Sequence, residues 1–318
     1  MQQARTHTPP TLHFPTDVSS DSVIWSHLHW DHTGNVSLFP PSTSLVVGPG
    51  FKDSPKYLPG FPTKADSPVS ASDFSHRTLT EISSFPLTIG ELPAHDFFGD
   101  GSFYLLDTPG HCLGHVCGLA RTTPSTATSP STFVLMGGDI CHFAGDFRPN
   151  RTHPLPDPIP SSHLDRTFPS PCPAHLFTST HPLSPSSPRT TPWYNVSTSA
   201  KSAYESPSTA ARSVRRMQTH FDESEHVLVC IAHDPTLLHV LPTLNTAPDR
   251  DLNAWKSRGW KEQCHWGWLN ELPRDGAPGR ERIVDGFWRE GRRWDRREAN
   301  ERMEDEGQSR MEKAKEEG

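Results

Sequence analysis

Ser26-His27-Leu28-His29-Trp30-Asp31-His32-Thr33-Gly34 follows directly on the short apolar run Val23-Ile24-Trp25. A run that stops and delivers three imidazoles and a carboxylate within six positions reads as a metal-binding loop, because these groups suit borderline cations such as zinc. In an extended segment, alternation puts His27 and His29 on one side. The adjacent pair Asp31 and His32 must point apart, towards a second position, so two neighbouring metals are implied.

The chain holds 19 histidines in 318 residues, and such a string would arise by accident in roughly one of a few hundred chains of this composition. Order along the chain argues against accident, because further candidate ligands stand downstream, each at the end of its own apolar run. Thr108-Pro109-Gly110-His111 closes one of them, although Pro and Gly also make an ordinary turn there. Gly114-His115 follows at once, so His111 and His115 are alternatives on the residues alone. Asp139 follows Phe133-Val134-Leu135-Met136-Gly137-Gly138, whose two glycines suggest a backbone passing close to something. His233 follows the strongest strand signal of the second half, 227–231.

Taken in order, these segments resemble the metallo-β-lactamase superfamily. The resemblance rests on His27-Leu28-His29-Trp30-Asp31-His32, on Gly99-Asp100-Gly101-Ser102 leading into 103–111, on Met136-Gly137-Gly138-Asp139, and on Val229-Cys230-Ile231-Ala232-His233-Asp234. It runs from about residue 22 to about residue 240, with long unmatched stretches. It implies an α+β fold, the αβ/βα sandwich of that family. It further implies two zinc ions: His27, His29 and His111 on one, Asp31, His32 and His233 on the other, with Asp139 bridging. His115 then becomes a supporting residue.

The chemistry implied is hydrolysis by a hydroxide bridging the two cations, with Asp31 and Asp139 as proton acceptors beside them. Activity should fall below about pH 6, as the imidazoles protonate. The stretch from Gly110 to His115 is most similar to the lactonase-like branch, which includes fungal hydrolases of small lactones and lactams. Bacterial acyl-homoserine lactonases carry a tyrosine three places after the bridging aspartate, and here that place is His142. His142 either substitutes for it in contacting the substrate carbonyl oxygen or merely faces the loop 143–149, and Tyr194 is a second candidate for the contact. The expected function is a dinuclear zinc hydrolase opening a lactone or lactam ring. A glyoxalase II-like thioesterase and an inactive, amino-terminally truncated relative are the alternatives. A diiron redox centre normally uses a carboxylate where this chain has His29.

Composition sets the frame around the site. Only 33% of the chain is hydrophobic and 33 residues are proline, so much of it must be loop. The expected layout is a catalytic domain over 1–248 with a Pro/Ser/Thr-rich insertion at about 149–211, a Trp-rich cap or extension over 249–294, and a charged tail over 295–318. The insertion has few apolar residues together, so part of it should wrap the site as a lid and part should lack order. Strands are expected over 23–25, 44–47, 79–82, 103–106, 116–120, 133–136 and 227–231, and helices over 209–221 and 237–241. Only 26 residues precede His27, with little strand character, so part of the N-terminal sheet should be lacking.

Six of the nine tryptophans fall within 249–294, where aromatic packing is the commoner use and a stacking platform the rarer one. Six cysteines without a CxxC pattern read as reduced thiols, Cys112 and Cys141 acting as small hydrophobes near the proposed ligands. The first 20 residues are polar and proline-rich, without the apolar core of a signal or spanning segment, so a cytoplasmic location is expected. The net charge of -7 gives no reason to expect nucleic acid or an anionic membrane as partner. A small-molecule substrate is the partner expected.

Overall fold

The computed structural model describes residues 21–74, 76–199, 202–243, 250–274, 276–280, 287–289 and 292–294. Residues 1–20 and the tail over 295–318 therefore lie outside the described residues. By internal contacts the chain falls into two units, Met1–Leu269 and Asn270–Gly318.

The first unit is built on two sheets. Strands β1 (Ser22–Ile24), β2 (Ser44–Val47) and β3 (Leu79–Glu81) lie parallel in that order. The central strand is covered on both faces, which is why Leu45-Val46-Val47 is an unbroken apolar run and not an alternating one. Leu45 and Val47 pack with Trp25, Phe51, Tyr57 and Val69 on one side. Val46 turns the other way, onto Leu105 and Val116 of the second sheet.

That second sheet runs β4 (Leu87–Ile89), β5 (Leu92–Asp96), β6 (Phe103–Asp107), β7 (Val116–Thr123), β8 (Thr132–Met136) and β9 (Val227–Cys230), antiparallel as far as β8 and parallel between β8 and β9. The expected α+β sandwich is therefore present. Three strands face six, and a groove of about 470 Å³ between them is lined by Ile24, Phe103, Leu105, Val116, Met136 and Cys230.

Helices are short: α1 (Trp30–Thr33), α2 (His175–Thr178), α3 (Pro207–Met217), α4 (Thr236–Val240) and α5 (Trp260–Cys264). In α3, Pro207 takes the first helical position and Ala210, Val214 and Met217 bury one face at helical spacing. The helix runs on as a π turn, Gln218–Asp222, that carries Asp222 fully inside. There Asp222 Oδ1 accepts from Arg148 at 2.6 and 3.1 Å, and Oδ2 accepts from Asn150 at 3.1 Å.

Two expectations need correction. The hairpin β4–β5 went unexpected, because Pro93 argues against a strand in sequence; it pairs with Thr88 across a turn in which Gly90 and Glu91 both take positive φ, the geometry that tight hairpins demand. The proline-rich insertion is neither a bare lid nor without order over 149–199. Its scattered Leu155, Ile159, Cys172, Phe177 and Trp193 are each buried, and backbone bonds from Leu155 to Arg189 and from Ile159 to Cys172 tie it across itself. Spaced apolar residues can pin an irregular segment one at a time, without forming a helix or strand.

The tryptophans 255 and 260 pack with Val134 and Leu228, so this part of the Trp-rich stretch completes the core of the first unit. Within the second unit, β10 (Phe287–Arg289) and β11 (Arg292–Trp294) form an antiparallel pair.

Candidate metal centre

Ligand candidates hang from four strand ends. Beyond β1, the indole of Trp25 donates to the Thr33 carbonyl at 2.9 Å, and the His32 N–H bonds the His29 carbonyl at 2.9 Å. These bonds fold the loop into the single turn α1, so Asp31 and His32 converge on one place where an extended segment would have splayed them. Beyond β6, Gly110 has φ +130°, and a Cβ there would collide with the Ala210 backbone; glycine lets the chain turn His111 inward. Beyond β8 and β9 the pairing continues through Gly137 to Cys230 and Ala232 to Gly138, setting Asp139 beside His233.

The structure brings all seven expected ligands together. His27 Nε2, His29 Nδ1 and His111 Nε2 form a triangle with sides of 3.0, 3.2 and 2.9 Å. Three neutral imidazoles cannot satisfy such a triangle with one proton each. A tetrahedral zinc with bonds near 2.05 Å needs ligand nitrogens about 3.3 Å apart, close to what is seen. Asp139 divides its carboxylate between two groups. Its Oδ2 lies 3.6 Å from His27 Nε2 and 3.4 Å from His111 Nε2, while Oδ1 lies 3.1 Å from His32 Nε2 and 3.2 Å from His233 Nε2. Asp31 Oδ2 completes the second group, 3.6 Å from His32 and 3.8 Å from His233.

Electrostatics agree with a cation-ready set. Burial, reinforced by neighbouring imidazoles, pulls His27 down to about 2 and His111 down to about 3, so both keep open lone pairs. Burial lowers His29 as well. For His32 burial is outweighed by Asp139 and then Asp31, which raise it. Burial opposes ionisation of Asp139, yet the imidazoles of His142 and His32 hold its carboxyl far below the usual range. His32 Nε2 and Asp139 Oδ1 are buried without a hydrogen-bond partner, an arrangement that a shared cation would satisfy.

His115 lies beneath this set, at Nδ1 2.8 Å from Thr108 Oγ1 and at Nε2 accepting the Asp139 backbone N–H at 3.0 Å. A Cβ on Gly138 would come within 3.1 Å of that same Nε2, which is the close approach its glycine permits. Cys112 joins the Trp25 core, and burial pushes its thiol up to about 12. Cys141 is likewise fully buried. One cluster that the sequence reading missed, His153 with Asp222 and His265, has its carboxylate already engaged by Arg148 and Asn150.

Over 263 residues, 80% of its length, the chain is 40% identical to the gamma-lactamase FDB1 of Fusarium pseudograminearum, and it is also 40% identical over 252 residues to the metallo-hydrolase mfmC of Annulohypoxylon moriforme. The chain belongs to the metallo-β-lactamase superfamily. The chain spans 58% and 61% of these two relatives' own lengths. Among solved structures, an N-acyl homoserine lactone hydrolase with N-hexanoyl-L-homoserine at its catalytic metal centre superposes with a TM-score of 0.40, at 16% identity, over 73% of this chain and 62% of that one. No protein-family model matches the chain.

In this metallo-β-lactamase superfamily chain, His142 stands at the rim of the site, Nε2 3.2 Å from Asp139 Oδ2. Tyr194 does not reach it; its ring lies against Phe143 and its N–H bonds the Gly145 carbonyl. Tyr204 does, with its hydroxyl 3.0 Å from His142 Nδ1. No spacing or periodicity in the sequence marks Tyr204, which is 62 residues away.

Proposed function

We propose that this chain is a dinuclear zinc hydrolase that opens the lactone or lactam ring of a small molecule. The observation that carries the reading is the division of Asp139, one oxygen towards the His27, His29 and His111 nitrogens and the other towards His32 and His233. The first three histidines would hold one ion, Asp31, His32 and His233 the other, and Asp139 both. Bound there, zinc would supply a water that ionises near neutral pH and would polarise the scissile carbonyl.

The chain's own residues fix the direction of approach. His27 and His111 side chains are 0% and 2% exposed, whereas Asp31 and His233 are 36% and 41% exposed. Substrate therefore enters over the second group. Asp31, at that open rim, is placed to accept a proton, and His142 beside Asp139 is placed to meet the substrate carbonyl oxygen. Two relatives are gamma-lactamases by name, which supports a cyclic amide or ester as the substrate class.

Zinc content of the purified chain and a panel of lactones, γ-lactams and acyl thioesters test this directly. Two zinc ions per chain and ring opening are expected, with His29→Ala losing metal and at least about 100-fold of turnover together. Failure to take up zinc from excess metal would defeat the proposal. Turnover of thioesters alone would replace it with the thioesterase reading.

A further inference from the structure

The Trp-rich stretch and the proline-rich insertion meet in a buried polar knot that shares no residue with the Asp139 cluster. Helix α5 is pinned there by Lys261, whose ammonium donates to the carbonyls of Asp222, Ser224 and Val227 at 2.6, 2.6 and 2.9 Å. His265 follows directly on that helix and is 4% exposed. His153 comes from the insertion. Its backbone N–H donates to Asn150 Oδ1 at 2.7 Å, while the Asn150 amide donates to Asp222 Oδ2 at 3.1 Å, so one asparagine sets both residues. The rings of His153 and His265 stand 4.8 Å apart between centres.

This knot has nitrogens left over. His153 Nδ1 and His265 Nε2 are both enclosed and neither has a hydrogen-bond partner, a state that folded proteins rarely tolerate. Burial, helped by Lys261 at His153 and by Arg148 at His265, lowers both imidazoles, which leaves each neutral with one lone pair at neutral pH. Asp222 Oδ1 takes both bonds from Arg148, but Oδ2 takes only Asn150 and keeps a lone pair open. One ligand atom each from His153, Asp222 and His265 lie within 4.8 Å of one another. An ion among them would stand about 2.8 Å or less from each, so shifts of under ~1 Å reach the ~2.1 Å of a zinc–imidazole bond.

We propose that His153, Asp222 and His265 form a separate, mononuclear site for a divalent cation of zinc's borderline class, in addition to the two-ion centre and independent of it. Two imidazoles and a carboxylate are a donor set that such ions favour. A cavity of about 300 Å³, lined by both histidines with Thr152, Lys261, Glu262 and Trp266, leaves room for water to complete the coordination. The positive charges nearby are already spent, Arg148 on Asp222 and Lys261 on its three carbonyls. Glu262 in the cavity wall and Glu223, which accepts from Thr152 Oγ1 at 3.0 Å, add negative charge around the place. Sharing Asp222 with Arg148 still weakens the hold, so this ion fills after the pair at Asp139. Bound there, it would clamp the insertion, the π turn and α5 together, a structural task with no part in ring opening.

Equilibrium dialysis against rising free Zn2+, with metal analysis and thermal unfolding at each concentration, tests this. Wild type should take a third ion after the first two, and its midpoint should climb by several degrees as that ion fills. His153→Ala and His265→Leu should stop at two ions, lose that climb and keep wild-type turnover. His153 is half-buried, so its variant decides the matter even if His265→Leu fails to fold. His29→Ala, which weakens the pair, should still take an ion that the double variant with His153→Ala does not. Equal zinc uptake by wild type and His153→Ala across the whole range would overturn the proposal. A single ion that His29→Ala keeps and His153→Ala loses would leave this site standing and fell the two-ion reading instead.

Discussion

His115→Leu removes the side chain that holds the Asp139 backbone without touching any expected ligand. The leucine fills a similar volume, so the cost comes from hydrogen bonds. The Asp139 N–H, buried beneath the site, loses its 3.0 Å acceptor, and a buried donor left unpaired costs about 1–3 kcal/mol. Thr108 loses its 2.8 Å partner but keeps Cys117 Sγ at 3.2 Å, which adds a smaller share. The sum is about 3 kcal/mol, or roughly 10 °C in midpoint for a domain of this size. Zinc affinity should fall by about 10- to 100-fold, because Asp139 is no longer oriented from behind.

Acid sharpens the same test. Burial holds His115 down to about 4, against 6.5 when unfolded. Between those values the unfolded chain binds the proton and the folded chain does not, so stability falls as pH drops from 6.5 to 4 and this loss ends below 4. The contribution is about 3 kcal/mol, and it should vanish from the His115→Leu stability profile. Urea unfolding across that pH range and zinc competition titrations supply both readouts. A variant with the wild-type midpoint and wild-type zinc affinity would refute the argument. His115→Gln, which restores an acceptor, should recover part of each loss.

Arg148→Met strands the fully buried Asp222 carboxylate with Asn150 alone and should cost about 3–5 kcal/mol in urea unfolding; a loss under about 1 kcal/mol would mean that the pair is not desolvated as described. Zinc should leave in two stages on acidification. His27 and His111, held to about 2 and 3, stay neutral at about pH 6, whereas His32, raised above 6.5, must give up a proton to bind metal. Dialysis from about pH 8 to about pH 6 should therefore remove the ion on the Asp31, His32 and His233 side first, and equal loss of both ions would contradict this.

Much of the candidate site was legible in sequence because its proposed ligands sit at strand ends, where apolar runs of β-branched and aromatic residues announce the strand and a Gly, Pro or Asp announces its stop. His27, His111, Asp139 and His233 all occupy such places. The convergence of Asp31 and His32 was not legible, since one helical turn set by the Trp25 indole replaced the extended geometry assumed for the loop. Tyr204 was invisible for a different reason. It is placed by main-chain bonds from Glu205 and Ser206 to a loop some ninety residues earlier, and such bonds carry no residue signature. The insertion over 149–211 misled through averages: its apolar fraction is low, yet Leu155, Ile159, Cys172, Phe177, Trp193 and Val196 are all spent on burial.

The four residues His27, His29, Asp31 and His32 descend from the three-stranded sheet, whereas His111, Asp139 and His233 descend from the six-stranded one. Each of the two proposed ions, once bound, would be a rivet through both plates of the molecule. A ligand that binds only the folded form at a thousand times its dissociation constant adds about 4 kcal/mol to unfolding. On the proposed two-zinc reading, ambient zinc would govern how long the molecule endures as well as whether it turns over, and chelation should shorten its lifetime before any substrate is offered.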